Sequence, residues 1–224
     1  MNINVKRKEL SDKYIKGTGI EIGALHQPLD IPKDVNIKYV DKLTSKELRA
    51  HYPELAQYEF KEADIVDNGE FLFHIRENTL DFVIANHFIE HCQDPILTLE
   101  NHLRVLKTNG IIYMAVPDRN STFDKNRPIT SLKHIRDDYH DGAGFSKREH
   151  YIEWGRLVNG DPDDKMLENA QKLIDKNYSI HFHVWDKNAF MEVLNYCVAS
   201  LKFPFVIEAA EDNKTEYIFI LRKI

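Results

Sequence analysis

The sequence predicts an α/β protein built on a doubly wound, mostly parallel sheet of seven strands that ends in an antiparallel hairpin. Three observations predict it. Short apolar runs alternate with helix-like segments from residue 18 to residue 116. Two of those runs, Leu80–Ala85 (LDFVIA) and Gly110–Val116 (GIIYMAV), are almost continuously apolar, as strands buried on both faces must be. Two closing strands, at about 203–209 and 216–222, are joined by the short polar loop Glu211-Asp212-Asn213-Lys214, which suits a hairpin.

The elements follow in order. Residues 4–16 read as a short helix leading into a first strand at 18–23. A second strand is expected at 36–40 (NIKYV), a helix near 44–56 and a short third strand over Ala63–Val66. Phe71–Arg76 suggests a helical turn ahead of the LDFVIA strand. Leu97, Leu99, Leu103 and Leu106 lie largely on one helical face, and Gly110 is expected to close that helix. Pro117 stops the GIIYMAV strand. The rhythm then changes: residues 118–179 are polar and aromatic without a strand period, and 119–183 reads as an insertion in a single domain spanning 1–224. Ile180–Trp185 (IHFHVW) and a helix at 187–200 precede the hairpin.

At 224 residues the chain is long enough for one sizeable α/β domain and short for two independent cores. Its net charge of −6 gives no broad attraction for phosphate backbones or anionic lipid, so nucleic acid is disfavoured as a partner. No window approaches the run of about 20 apolar residues that spans a bilayer. The charged start MNINVKRKEL does not resemble a secretory signal. Cys92 and Cys197 read as packed, reduced thiols, and a cytoplasmic location is expected.

The most informative segment is 18–41, TGIEIGALHQPLDIPKDVNIKYVD. An apolar strand runs into Glu21-Ile22-Gly23-Ala24, and the next strand ends in Asp41. In an open parallel sheet this puts a flexible turn and a carboxylate at adjacent strand tips, where a ribose-bearing cofactor binds: the turn admits the ligand to backbone, and the acid accepts from ribose hydroxyls. A nicotinamide site would need G-x-G-x-x-G after the first strand; Gly17-x-Gly19 opens the strand instead, and no third glycine follows.

Several signatures resemble class I S-adenosylmethionine-dependent methyltransferases. Glu21-x-Gly23 resembles the start of that family's glycine-rich first motif, and the stretch 81–118, with Glu90-His91, resembles its second half. The resemblance implies a Rossmann-like methyltransferase fold with S-adenosylmethionine as cofactor. It implies Asp41 as the ribose acid and Asp64-Ile65 as the pair that reads adenine. Glu21, Gly23, Ala24, Leu25, Lys42, Asn86, His87 and Phe88 are the further expected cofactor contacts. Where the family has alternating glycines, this chain has Ala24-Leu25-His26; Leu25 and His26 do not freely take positive φ, so a turn of different shape is expected. More narrowly, GIEIGALHQPL, Arg127, His134, REHYIEW and HFHVWD resemble a bacterial group encoded in surface-polysaccharide clusters, implying a sugar, sugar nucleotide or glycan acceptor.

The insertion reads as a substrate lid, rich in rings and hydrogen-bonding groups. A hydroxyl acceptor needs a base, for which His150, His134 and His91 are the candidates, with His87 and His181 on the rim; an amine acceptor needs less help. Arg127, Arg148, Tyr151, His181, His183 and Trp185 are the expected substrate contacts, the last three sharing one face if 180–185 is extended. His87-Phe88-Ile89-Glu90-His91 also spells H-x-x-E-H, which on a helix would offer two zinc ligands and a base for hydrolysis. Its place at the end of a buried strand argues against that reading, and no metal is expected. A non-catalytic cofactor-binding subunit of a glycan-assembly system is the remaining alternative. The acceptor and the oligomeric state are not legible.

Overall fold

The computed structural model describes residues 3–55 and 57–224. Helix α1 (Ile3–Tyr14) leads into β1 (Thr18–Ile22) and β2 (Asn36–Asp41). Helix α2 (Ser45–His51), β3 (Ile65–Val66), β4 (Leu80–Ile84), α3 (Pro95–Val105) and β5 (Leu106–Pro117) complete the parallel half. The insertion carries α4 (Leu132–Asp137), α5 (Lys147–Trp154) and α6 (Met166–Asp175), with π-type turns at 138–142 and 155–159. Helix α7 (Lys187–Ala199), β6 (Phe205–Asn213) and β7 (Glu216–Lys223) close the chain. The sheet has seven strands in the order β3-β2-β1-β4-β5-β7-β6; β1 to β5 run parallel and β7 is antiparallel to both its neighbours.

The two-residue period of the central strands divides the core in two. Val83, Ile112, Met114, Val116, Phe219 and Leu221 point to one face, where α3 and α7 cover them. Phe82, Ile84, Ile111, Tyr113, Ala115, Ile218 and Ile220 point to the other, against Leu10 and Tyr14 of α1. A third, smaller core lies in the insertion, where Tyr151, Ala170, Ile180 and Phe182 pack together.

Local chemistry explains where the elements depart from expectation. Helix α2 opens on a capping box, with Thr44 accepting from the Glu47 amide and Glu47 accepting from the Thr44 amide. It stops at His51 because Pro53 disfavours helical geometry at Tyr52, and the expected extension toward 56 is replaced by a 3₁₀ turn over Pro53–Leu55. Ala56 lies outside the described residues. Residues 71–76 form turns without a helix. Gly110 does not cap α3: that helix ends at Val105, and β5 begins at once with Leu106. Pairing with β4 then jumps from Leu80↔Leu106 to Phe82↔Ile111, so 107–110 bulge out, with Asn109 at φ 68. The hairpin strands run longer than expected and turn at Lys214-Thr215.

Residues 180–184 form no strand, and a single bridge joins Trp185 to Asp118. All six side chains of Ile180–Trp185 are buried, so the segment has no open face. Among the described residues, no helix is long and apolar enough to cross a membrane.

Candidate active site

A cleft of about 360 Å³ opens beyond the carboxyl ends of β1, β2 and β4, between those strand tips and the insertion. Ligands in open α/β sheets bind at this position, where the strand order reverses between β1 and β4.

Gly23, at φ 64, turns the chain off β1, and its amide donates to the Val40 carbonyl at 2.9 Å. Leu25 also takes positive φ, at 46°. That geometry costs a β-carbon-bearing residue about 1–2 kcal/mol. It is held by the Lys61 amide, which donates to the Leu25 carbonyl, and by the Gln27 amide, which donates to Ala24. The turn thus keeps left-handed backbone without the usual glycine, where the sequence suggested Leu25 would avoid it. Gly23 and Leu25 line the cleft. Ala24 and Glu21 do not; Glu21 is buried beneath the turn, where its Oε1 accepts from the Leu29 amide at 2.9 Å. Burial pushes the Glu21 carboxyl up to about 7.

Asp41 and Lys42, at the tip of β2, both face the cleft. Burial raises the Asp41 carboxyl to about 6 against the pull of hydrogen bonds from the Lys42 and Leu43 amides.

Asp64 is placed elsewhere. It precedes β3, is exposed, and accepts from the Tyr39 amide at 2.8 Å. Neither Asp64 nor Ile65 lines the cleft; Val66 is the residue paired with Asp41, so Asp64 stands at the start of β3 and not at its tip. Asp67, buried at that tip, accepts from the Asn68 and His74 amides, and Asn68, Gly69 and Glu70 line the cleft instead. Gly69 permits a close approach: a β-carbon there would lie 2.5 Å from Ile22 Cγ2 and 2.7 Å from Phe88 Cζ.

At the tip of β4, Asn86 Oδ1 accepts from the Ala115 amide, so this side chain braces β5 rather than facing the cleft. His87 and Phe88 do line it. His87 sits at φ 48 and its Nε2 lies 2.7 Å from Oε2 of Glu216, which Arg7 grips with two nitrogens at 2.6 and 2.8 Å. Burial opposes a charge on His87, but Glu216 and Glu90 outweigh it and raise its pKa. The same contacts overcome burial at Glu216 and hold its carboxyl at about 2.

His91 lies on the 3₁₀ turn 89–91, lines the cleft, and hydrogen bonds through Nδ1 to the Ile180 carbonyl at 2.9 Å. A carbonyl only accepts, so Nδ1 carries the proton and Nε2 the lone pair. Burial and the neighbouring His181 lower its pKa to about 3, leaving the ring neutral. His87 and His91 therefore turn to different partners and share no helical face, since α3 starts only at Pro95. This removes the geometry that a zinc hydrolase reading of H-x-x-E-H requires.

The opposite wall comes from the insertion: Tyr151, Phe182 and the turn Asn177-Tyr178-Ser179. Of the expected substrate contacts, only Tyr151 lies on this wall. Arg127 is fully buried and its guanidinium is engaged by Asp124, Glu153 and the carbonyls of His181 and Phe182. It fastens the insertion to the 180–185 segment. Arg148 is exposed outside the cleft. His181 lies behind His91, with Nδ1 2.6 Å from Asp124 Oδ2, and Trp185 is in the main core. His134, His150 and His183 gather with Asp138 behind the wall, away from the lining.

Residues 17–114 match the family model described as "Methyltransferase domain". The match runs from β1 into β5 and ends before the insertion. No curated protein matches the chain. Among solved structures, SAM-dependent methyltransferases from Methanosarcina mazei align at 15% identity over 95% of both chains, with a TM-score of 0.51. A SAM-dependent methyltransferase from Aquifex aeolicus aligns at 11% identity over 99% of this chain and 98% of its own, also at 0.51. A Rhodobacter sphaeroides protein provisionally described as a Zn-dependent alcohol dehydrogenase aligns at 13% identity over 98% and 90%, at 0.57. Likeness at such identities shows the fold alone, a Rossmann-like doubly wound sheet. The domain match over 17–114 likens that part of the chain to a methyltransferase domain.

Proposed function

We propose that the protein transfers a methyl group from S-adenosylmethionine to a hydroxyl of a small polar acceptor: a sugar, sugar nucleotide or glycan of the kind built into surface polysaccharides. The observation that carries this reading is His91. It lines a cleft with strand tips on one side and the aromatic and amide groups of the insertion on the other, and its Nδ1 proton is committed to the Ile180 carbonyl, which leaves Nε2 as the ring's acceptor.

The strand tips fit the cofactor. Asp41 is a half-buried carboxylate held by two backbone amides and facing the cleft, suited to a pair of ribose hydroxyls. Gly23 and Leu25 bring backbone to the cleft edge, and Asn68-Gly69 offer backbone and amide groups suited to a purine edge. The cofactor supplies a methyl group activated by a sulfonium leaving group, so the protein has little covalent chemistry to perform. Holding the acceptor on line contributes up to about 7–11 kcal/mol in favourable cases.

The insertion acts as the lid. Tyr151 and Phe182 form an apolar backing to its wall, and Gln93, Asn177 and Ser179 lie on the same cleft as polar groups for a hydroxylated acceptor. His91 Nε2 accepts the hydrogen bond of the acceptor hydroxyl. As that oxygen bonds to the methyl carbon it becomes a protonated ether, a far stronger acid than an imidazolium of pKa about 3, and its proton passes to Nε2. The low basicity of His91 keeps it deprotonated beforehand.

Turnover of isotopically labelled S-adenosylmethionine with a panel of sugar nucleotides and short glycans tests the reading. Label appearing in one of them as an acid-stable methyl ether is the expected outcome. Cofactor binding without transfer to any of them would favour a non-catalytic subunit.

A further inference from the structure

We propose that His134, Asp138, His150 and His183 together bind one divalent transition metal, zinc by the chemistry of the donor set, behind the acceptor wall. No spacing motif links these residues, which lie on four separate segments: α4, the 138–142 turn, α5 and the 180–185 strap.

Their donor atoms converge. Nε2 of His134 lies 3.0 Å from Nε2 of His150 and 3.2 Å from Oδ2 of Asp138, and Nε2 of His183 lies 3.9 Å from that same oxygen. A tetrahedral zinc with bonds of about 2.0–2.1 Å holds its ligand atoms about 3.3 Å apart, which these spacings bracket. Protons alone serve the cluster poorly. Nε2 of His134 faces a nitrogen and an oxygen at once, and one proton serves only one of them well. Asp138 Oδ2 is buried without an aligned hydrogen-bond partner.

Groups beyond the cluster orient it as they do around metal ligands. Ser146 Oγ donates to the other Asp138 oxygen at 2.6 Å, turning Oδ2 inward. The Phe182 carbonyl holds the His150 ring. The Gln93 carbonyl, 3.2 Å from His183 Nε2, is the contact a metal would replace. Three imidazoles and one carboxylate suit zinc or a neighbouring first-row ion better than magnesium or calcium, which favour all-oxygen sites. With four protein ligands, three of them buried, the site is closed, as structural zinc sites are. Its effect is mechanical: it ties α4 and α5 to the strap whose Phe182 lines the cleft and whose Ile180 carbonyl orients His91.

A second group, Glu90, His91 and His181, also converges, so the experiment separates the two. The full chain is stripped with chelator, titrated with Co²⁺ and desalted, and metal content is measured with the visible absorption of tetrahedral cobalt. His134, the most exposed ligand at 36%, is changed in His134→Ala, and Asp138→Asn keeps the side-chain shape. One retained equivalent with tetrahedral absorption is expected, with affinity at least tenfold weaker in both variants and unchanged in His181→Ala. Binding of the demethylated cofactor should persist in all three, showing that they fold. Absence of retained cobalt and zinc in the unmodified protein would overturn the proposal, as would cobalt lost in His181→Ala and kept in the other two.

Discussion

Nε2 of His87 lies 2.7 Å from Oε2 of Glu216, joining the tip of β4 to the start of β7 across 129 residues of sequence. Arg7 of α1 completes the contact from the other side. One carboxylate thus ties the strained His87 backbone at the cleft edge to the first helix and the last strand.

Glu216→Ala should destabilise the protein by about 3–5 kcal/mol, since it leaves Arg7 without its partner in a largely buried setting. The effect has a definite pH dependence. The native carboxyl, at about 2, lies below the ordinary glutamate value, so its contribution is present above that ordinary value and is lost as pH falls toward 2. Urea unfolding of both proteins from pH 7 to pH 3 should show the gap narrowing on the acid side.

Asp41 predicts the pH dependence of cofactor binding. Its carboxyl ionises near 6, and the ionised form accepts two ribose hydroxyls, whereas the protonated form accepts fewer. Affinity for S-adenosylhomocysteine should therefore hold steady above pH 7 and weaken as pH falls through 6. Titration calorimetry over pH 5–8 measures this.

Gly69→Ala should damage both binding and fold. The added carbon meets Ile22 and Phe88, and Phe88 and Gly69 both line the cleft. Overpacking of this kind costs about 1–3 kcal/mol, read as a lower thermal midpoint, with weaker cofactor binding alongside.

His91→Ala should lower kcat by about 10²-fold or more and leave cofactor affinity within about threefold, if His91 has the proposed role as base toward an acceptor hydroxyl. Single-turnover kinetics beside calorimetry separates the two. Equal loss of turnover and cofactor binding would place His91 in the cofactor site instead.

Much of the fold was legible because its strands announce themselves. LDFVIA and GIIYMAV are buried on both faces, and their tips can be counted, so Gly23, Asp41, His87 and Phe88 were found at the cleft. Strand β3 pairs through only two residues and carries no such pattern, so nothing in the sequence marks Asp67, rather than Asp64, as the acid beyond its tip. Glu21 and Asn86 stand beside cleft residues yet turn inward to backbone amides, a choice of rotamer that spacing does not encode.

The insertion was less legible because its contacts are distant in sequence. Arg127 suited an anion clamp by residue type, but Glu153 and the carbonyls of His181 and Phe182 engage it. An extended 180–185 would have given an open face carrying His181, His183 and Trp185. The insertion covers one side of that strap and the 90–93 segment and main core the other, so the cleft receives Phe182, Ser179 and Tyr178.

The central claim is that the tips of β1, β2 and β4 hold the cofactor, with Asp41 on its ribose. Calorimetric titration of S-adenosylhomocysteine into the unmodified protein and into Asp41→Ala tests it most directly. Micromolar binding that weakens at least tenfold in the variant is the predicted result; equal affinity in the two proteins would contradict it.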